Sequence, residues 1–206
     1  NSYQCNDTSR IKNIEPLRKV DFGIPRNSFV FVCFNASNKI NKEEFDVWMN
    51  ILKEVKDSIL WLLCSNKRLC ENLQAESTRR GIDPKRIIFA KQLPIEKHIA
   101  RYKCADLFLD TFNYNAHTTA SDALLAGLPL ITKVGESFSA RVGASLLTAL
   151  DLPELITGST SQYEKLAITL GSDKILLTKY RDKLKKNITS KSLFNIYAFT
   201  KNLEDK

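Results

Sequence analysis

Short apolar runs alternate with longer segments of helical periodicity from residue 28 onward. The apolar runs predict five strands, at residues 28–34, 58–64, 86–90, 105–110 and 128–134. Runs that are apolar at nearly every position are typical of parallel strands covered on both faces. The intervening segments predict a helix after each strand, and three further helices close the chain at residues 161–171, 175–188 and 193–203. This order predicts an α/β fold, a Rossmann-like open parallel sheet with helices on both faces.

The first 25 residues lack this periodicity, and Pro16 and Pro25 interrupt them. We therefore predict an arm or linker at residues 1–25 and one lobe with C-terminal helices at residues 26–206. The length of 206 residues suits a single globular domain with a full core.

Composition limits the cellular location and the kinds of site that the chain can carry. No apolar run is long enough to span a bilayer, and the first residues lack the pattern of a signal peptide. The five cysteines include no C-x-x-C pair, which favours free thiols in a reducing cytoplasm. A zinc site is not expected, because neither of the two histidines lies near a cysteine pair. We predict a cytoplasmic protein with no membrane partner.

A polar loop, NYNAHTTASD at residues 113–122, separates the fourth predicted strand from a short predicted helix at residues 123–127. Hydroxyls and backbone N–H groups at a helix N-terminus suit an anion such as a diphosphate. Thr119 and Asp122 also fit a capping box, so a well-capped surface helix is the alternative interpretation. His117 favours the anion site, because an imidazole can donate to a phosphate.

Three polar segments follow the ends of predicted strands, at residues 35–39, 92–101 and 113–122. Ligands of open parallel sheets bind beyond the carboxyl ends of the strands, so we expect these segments to converge. The net charge of +8 favours an anionic partner but does not choose among nucleotide, nucleic acid and membrane surface. The absence of a G-x-G-x-x-G fingerprint argues against an ordinary NAD site.

The chain resembles the C-terminal catalytic half of the O-linked N-acetylglucosamine transferase and SPINDLY family of glycosyltransferases. The resemblance is carried by RIIFAKQLPIEKHIARYKCADLFLD and by H-T-T-x-x-D followed by A-G-x-P-x-I-T. The turn FNASNKI is similar to the family's FNxxxKI segment, and SYQCNDTSR is similar to its inter-lobe linker. SLFNIYAFTKNLE is similar to its closing helix, so the resemblance spans nearly the whole chain.

Membership would make this chain the nucleotide-sugar-binding lobe of a two-lobed, B-type glycosyltransferase. The implied activity is inverting transfer of a sugar, N-acetylglucosamine, from a UDP-sugar to a Ser or Thr hydroxyl of an acceptor protein. The resemblance implies no metal and no other cofactor, and the sequence contains no D-x-D. The first catalytic lobe and the helical repeats would belong to the same longer chain, and the isolated lobe would be inactive.

The resemblance assigns Lys39 as the catalytic lysine that neutralises charge on the leaving diphosphate. A solvated surface lysine is the alternative. His117, Thr118 and Thr119 align with the residues that hold the diphosphate at the helix start. Asp122 aligns with an acid that accepts from a ribose hydroxyl, a role that competes with helix capping.

The remaining aligned positions concern the nucleotide base. His98 aligns with an imidazole that packs on this base, and Arg101 is a neighbouring arginine of that site. One turn of helix separates the two, which places them on the same face. Gln92 and Leu93 lie in the loop whose backbone reads the base edge, and Asn35 of the FNASNKI turn is included among the nucleotide-binding residues. An ordinary surface or core histidine is the alternative for His98.

Three departures from the family pattern bear on affinity and donor identity. Ala36 replaces a frequent Gln, Ile95 replaces a usual Lys for which Lys97 could substitute, and Ala116 replaces a usual Gly. UDP-N-acetylglucosamine, UDP-glucose and GDP-fucose all remain open as donors. These changes also keep open a degenerate lobe that has lost donor binding.

A basic module that binds nucleic acid without catalysis is the alternative from a different functional class. The aromatic residues Trp48, Trp61 and Phe89 argue against it. They fall in segments patterned as core and offer no stacking platform.

Overall fold

The computed structural model describes residues 3–6, 8 and 15–205. Its parallel strands form one sheet in the order β3-β2-β1-β4-β5-β6. The strands are β1 (Phe29–Cys33), β2 (Ser58–Leu63), β3 (Ile87–Ala90), β4 (Leu107–Leu109), β5 (Leu130–Lys133) and β6 (Ile156–Thr157). This arrangement confirms the predicted Rossmann-like class.

The strand β6 was not predicted. It contributes only two residues, Ile156 and Thr157, which pair with Thr132 and Lys133 of β5. Two residues are too few to show a period in the sequence, so pairing with a neighbour, and not local pattern, defines this strand.

The helices are α1 (Lys42–Glu54), α2 (Lys67–Arg79), α3 (Ile95–Arg101), α4 (Thr118–Leu125), α5 (Val142–Ala149), α6 (Thr160–Ser172), α7 (Lys174–Ser190) and α8 (Ile196–Glu204). Right-handed crossovers place the helices that leave β1 and β2 on one face and those that leave β4 and β5 on the other. The helix α1 packs against α6, and α4 packs against α5 and α7.

The core lies between these helices and the sheet. The side chains of Phe31, Trp48 and Trp61 are fully buried. Phe34, just beyond β1, meets the Trp61 ring edge-on at a centroid distance of 4.9 Å. The apolar face of α1 is buried, from Phe45 near its start to Val55, which directly follows its end.

The starts of α1 and α4 differ in their capping. Asn41 and Glu44 form a capping box at the start of α1. The predicted capping box of Thr119 and Asp122 is wrong, because α4 begins at Thr118 and has His117 as its N-cap residue. Both members of the predicted pair therefore lie inside the helix. The predicted short helix at 123–127 is accordingly the last part of a longer one, which ends before Gly127 at φ 82°.

The described part of the predicted arm packs on the lobe. The Tyr3 backbone N–H donates to Ser145 Oγ at 2.9 Å, and Asn6 Nδ2 donates to Ser121 Oγ at 3.0 Å. Residues 9–14 of the arm lie outside the described residues. The boundary near residue 25 stays a prediction.

All five cysteines are free thiols, as predicted, and Cys33, Cys64 and Cys104 are buried. Across the described residues, no helix has the length and apolar character needed to cross a bilayer.

The strand order reverses between β1 and β4, which are neighbours in the sheet although two other strands separate them in sequence. A crevice forms at such a point, because the connections on either side lead away in opposite directions. The turn after β1 and the loop after β4 border this crevice, and they carry Lys39 and His117.

Candidate functional site at the carboxyl edge of the sheet

A buried carboxylate, Asp110, directly follows β4 and organises the loop beyond it. Its Oδ1 accepts hydrogen bonds from the backbone N–H groups of Ala116 at 2.6 Å and Thr111 at 2.9 Å. Asn35, two residues beyond β1, donates to the same oxygen at 3.3 Å, and Thr132 of β5 donates to Oδ2 at 2.8 Å. One fully buried side chain thus joins three strand ends to one loop.

Burial raises the pKa of Asp110 to about 7, while the hydrogen bonds that it accepts act in the opposite direction. Two of the donors are backbone N–H groups, which cannot accept, so Oδ1 is an acceptor in either protonation state. Gly143 approaches this carboxylate closely. A Cβ at that position would lie 2.6 Å from Asp110 Oδ2 and 2.7 Å from Thr132 Oγ1, so the region around the carboxylate has no spare volume.

Further buried hydrogen bonds fix the loop between β4 and α4. Glu44 Oε1 in α1 accepts from the Phe112 backbone N–H at 2.7 Å. The Asn115 side chain donates to the Thr111 carbonyl at 2.7 Å and accepts from the Gly143 N–H at 3.2 Å. Glu44 and Asn115 are both fully buried, so these bonds are shielded from water and hold the start of α4 in one position.

Lys39 and His117, both predicted to contact the diphosphate, lie beside the same aromatic ring. Lys39 Nζ is 3.8 Å from the centroid of the Tyr114 ring and donates to the Asn115 carbonyl at 3.0 Å. The His117 imidazole stacks on the Tyr114 ring with a centroid distance of 4.8 Å and an interplanar angle of 21°. The structure therefore brings together the turn after β1 and the start of α4.

Burial lowers the pKa of both Lys39 and His117. The Asp110 carboxylate partly offsets this effect at Lys39, and the Lys39 charge further lowers the pKa of His117. Within the described chain, the His117 side chain makes no capping hydrogen bond to α4. The first backbone N–H groups of α4 are therefore not capped by this side chain, and they lie at the positive end of the helix dipole. This arrangement suits an anion.

His98 and Arg101 share one face of α3, as the spacing predicts. Arg101 donates to His98 Nδ1, and His98 Nε2 lies 3.2 Å from the Tyr102 hydroxyl, which donates to the Thr119 carbonyl at 3.3 Å. A guanidinium can only donate, so we assign His98 as neutral with its proton on Nε2. Burial and the charge of Arg101 lower the pKa of His98 to about 4. This chain of hydrogen bonds connects the predicted base-binding histidine to the first turn of α4.

Arg101 holds the loop after β3 through a hydrogen bond to its backbone. Its side chain is 1% exposed, and its Nη1 donates to the Lys91 carbonyl at 2.7 Å, directly before Gln92 and Leu93. The guanidinium also lies over the Phe34 ring, 4.1 Å from the centroid. Burial lowers the pKa of Arg101 to about 10. This placement favours a role in positioning the loop.

The other predicted residues lie around the same edge. Asn35 is buried and also donates to Thr111 Oγ1 at 2.7 Å. Thr118 is exposed at the start of α4, whereas Asp122 is buried within it. The proximity of these side chains follows from the fold, and their individual contacts with a nucleotide stay predictions.

Several residues of this site were not singled out from the sequence. Tyr3 and Phe138 lie near the His117 imidazole, with ring-centroid distances of 5.1 Å and 6.5 Å. Asp110 carries a usable signal, because it is an acid at the end of an apolar run and must meet donors when buried. Tyr114 carries no such signal, because Lys39, whose ammonium lies over its ring, is distant along the chain.

The chain matches the family model described as glycosyl transferase family 41 over residues 9–203. It belongs to glycosyl transferase family 41. Within the described residues, this family 41 chain has no group of three or more His, Cys, Asp or Glu side chains placed to hold a metal ion.

Relatives of this family 41 chain are much longer proteins. It is 36% identical over 187 residues to a UDP-N-acetylglucosamine–peptide N-acetylglucosaminyltransferase of Caenorhabditis elegans, covering 91% of this chain and 16% of that protein. It is also 36% identical over 206 residues to the probable transferase SEC of Arabidopsis thaliana, covering 99% of this chain and 21% of that protein. The chain thus spans about one fifth or less of the length of these two relatives.

A solved structure shares both the fold and the sequence family. A mutant O-GlcNAc transferase of Thermobaculum terrenum superposes with a TM-score of 0.81 at 30% identity. The match covers 86% of this chain and 35% of that one. The family predicted from the motifs is therefore confirmed, and so is the fold of a glycosyltransferase lobe.

Replacing Asp110 by Ala should destabilise the lobe strongly. The substitution leaves two backbone N–H groups and two side-chain donors without their acceptor in a buried site, and we expect a loss of about 3 kcal/mol or more in the free energy of unfolding. Asp182→Ala, at an exposed position on α7, is the matched control and should change it by less than about 0.5 kcal/mol. Urea denaturation measures both, and equal midpoints would contradict the role of Asp110.

The two histidines should titrate below the usual range, His98 with a midpoint near pH 4. The unfolded chain takes up a proton at His98 between about pH 6.5 and pH 4, whereas the folded chain does not, so this residue destabilises the fold as the pH falls through that window. Imidazole NMR signals, assigned with His98→Gln, measure the midpoint. A midpoint near 6.5 for His98 would refute the assignment of a neutral ring held by Arg101.

Proposed function

We propose that this chain is the donor-binding lobe of a protein O-glycosyltransferase. The longer protein would transfer N-acetylglucosamine from UDP-N-acetylglucosamine to Ser or Thr hydroxyls of acceptor proteins. The proposal rests on one observation: Lys39 lies close to the N-terminus of α4 at the crevice between β1 and β4. The names of the relatives from Caenorhabditis elegans and Arabidopsis thaliana support the donor and the acceptor class.

The chemistry of the transfer requires positive charge at this point. When the bond between the sugar and the terminal phosphate breaks, UDP leaves with the bonding electron pair, and negative charge grows on its phosphate. Lys39 and the N–H groups at the start of α4 would stabilise that charge. The acceptor hydroxyl would attack the anomeric carbon from the opposite side of the sugar and pass its proton to water or to the departing diphosphate, giving inversion. We propose that no metal takes part.

The second cluster of the site suits the base of the nucleotide. The neutral imidazole of His98 presents a flat and weakly polar face, and Phe34 lies 5.6 Å from it between ring centroids. Arg101 holds the Lys91 carbonyl and with it the loop of Gln92 and Leu93, whose backbone would read the base edge. The hydrogen-bond chain through Tyr102 joins this cluster to the start of α4, where the diphosphate would bind.

The rest of the catalytic apparatus would come from outside these 206 residues. Because this chain covers 35% of the Thermobaculum terrenum structure, we propose a second catalytic lobe and helical repeats in the same protein. Those parts would bind the acceptor protein and close the cleft. The five free thiols support a cytoplasmic location.

Binding of UDP without added metal tests the site. We expect Lys39→Ala and His117→Ala each to weaken UDP binding at least about tenfold, because each removes a hydrogen-bond donor to a charged phosphate. Isothermal titration calorimetry on the 206-residue chain measures this. Lys179→Ala, an exposed lysine on α7, is the control for loss of one positive charge and should leave the affinity unchanged. Wild-type affinity in both site variants would refute the proposal.

The isolated chain should bind donor but transfer little sugar. A lobe without its partner cannot exclude water or hold an acceptor hydroxyl next to the sugar, so the gain from proximity is lost. Incubation with radiolabelled UDP-N-acetylglucosamine and a Ser/Thr-rich peptide measures the rate, with heat-denatured protein as the blank. Sustained turnover by the chain alone would show that the missing parts are not needed for catalysis.

A further inference from the structure

We propose that Tyr114 is a positioning residue for the donor site, whose ring holds the Lys39 ammonium and the His117 imidazole where the diphosphate of the donor must meet them. This inference rests on the proposed function. It gives the loop after β4 a positioning role in addition to the roles assigned to the aligned motif residues. Tyr114 itself lies outside that motif, three residues before the histidine.

The contact with Lys39 is direct. Lys39 Nζ lies over the Tyr114 ring at 3.8 Å from its centroid, within the range in which an aromatic face attracts a cation. The same ammonium donates one hydrogen bond, to the Asn115 carbonyl at 3.0 Å. An ammonium has three N–H donors. The ring and the carbonyl therefore fix the direction of the side chain while leaving donor capacity for a phosphate.

The contact with His117 uses the same ring. The imidazole stacks on it at 4.8 Å between centroids, nearly parallel, and Nε2 of His117 is 3.5 Å from the Ser139 carbonyl. Lys39 reaches the ring from the turn after β1, and His117 reaches it from the start of α4. Tyr114 is therefore the structural link between the two groups that the proposed mechanism requires.

The ring can do this because its backbone is fixed although the side chain is 45% exposed. The Tyr114 carbonyl accepts from Thr111 Oγ1 at 2.5 Å, and the neighbouring Asn113 carbonyl accepts from Ser139 Oγ at 3.2 Å. These bonds connect the Tyr114 segment to the loop that Asp110 organises. The ring therefore presents a fixed surface to Lys39.

Positioning matters because a lysine side chain is long and flexible. A lysine that must first be ordered loses conformational freedom when the ligand binds, and this loss weakens binding. A ring that already holds the ammonium removes much of that cost. The phenolic hydroxyl is not needed for this effect, so phenylalanine should replace tyrosine, whereas an aliphatic residue of similar size should not.

The test compares Tyr114→Phe and Tyr114→Leu with and without Lys39→Ala, using UDP affinity by calorimetry in the absence of metal. We expect Tyr114→Phe to retain the wild-type affinity within about twofold and Tyr114→Leu to weaken binding roughly threefold to tenfold. In the Lys39→Ala background, Tyr114→Leu should reduce the UDP affinity much less, because its effect depends on the lysine. Tyr197→Leu, an exposed tyrosine on α8, is the matched control.

A second readout needs no nucleotide. Protons on the Lys39 ε-carbon should show an upfield ring-current shift in the wild type and in Tyr114→Phe, and lose it in Tyr114→Leu. Lys39→Arg assigns the signal. Absence of the shift in the wild type would overturn the inference. So would a Tyr114→Leu variant that loses no UDP affinity, or one that loses equal affinity with and without Lys39.

These readouts separate the two proposals. If Lys39→Ala leaves UDP binding unchanged, the positioning role falls together with the proposed site. A ring-current shift at Lys39 in the wild-type chain would then show that the error lies in the nucleotide assignment and not in the contact between Tyr114 and Lys39.

Discussion

One buried carboxylate sets the positions of the groups at the carboxyl edge of this sheet. Asp110 accepts hydrogen bonds from side chains beyond β1 and in β5, and from two backbone N–H groups of its own loop. A buried carboxylate is costly unless donors surround it. A loop conformation that withdrew its N–H groups would leave that cost uncompensated, so the loop has one favoured path. That path leads directly to the start of α4.

The site has two layers that differ in exposure. Beneath lie Asp110, Glu44 and Asn115, all fully buried, which fix the backbone through hydrogen bonds that water does not reach. Above lie Lys39 and His117, which are partly exposed and can meet a ligand. A rigid lower layer fixes the direction of the upper groups before a ligand binds, as the proposed stabilisation of a leaving group requires.

Charge at the crevice comes from few groups. Burial and neighbouring cations lower the pKa of both histidines, so neither contributes a full positive charge near neutral pH. In the proposed site, Lys39 and the dipole of α4 supply the positive potential for the diphosphate. The net charge of +8 is therefore a weak guide to function, because the proposed site depends on the charge of a single lysine placed at a strand end.

The sequence by itself determined the α/β class, the order of elements and the convergence of the turn after β1 with the loop before α4. Apolar runs and helical spacing are local, and the carboxyl ends of parallel strands must meet at one edge. Only the tertiary structure decided the strand β6, the start of α4 at Thr118, and the contact of Tyr114 with Lys39. Each depends on a partner distant along the chain: β5 for the strand, Glu44 of α1 for the loop before the helix, and the turn after β1 for the ring. Such pairings leave no periodic trace in the sequence, because packing and buried hydrogen bonds select them after the elements have formed.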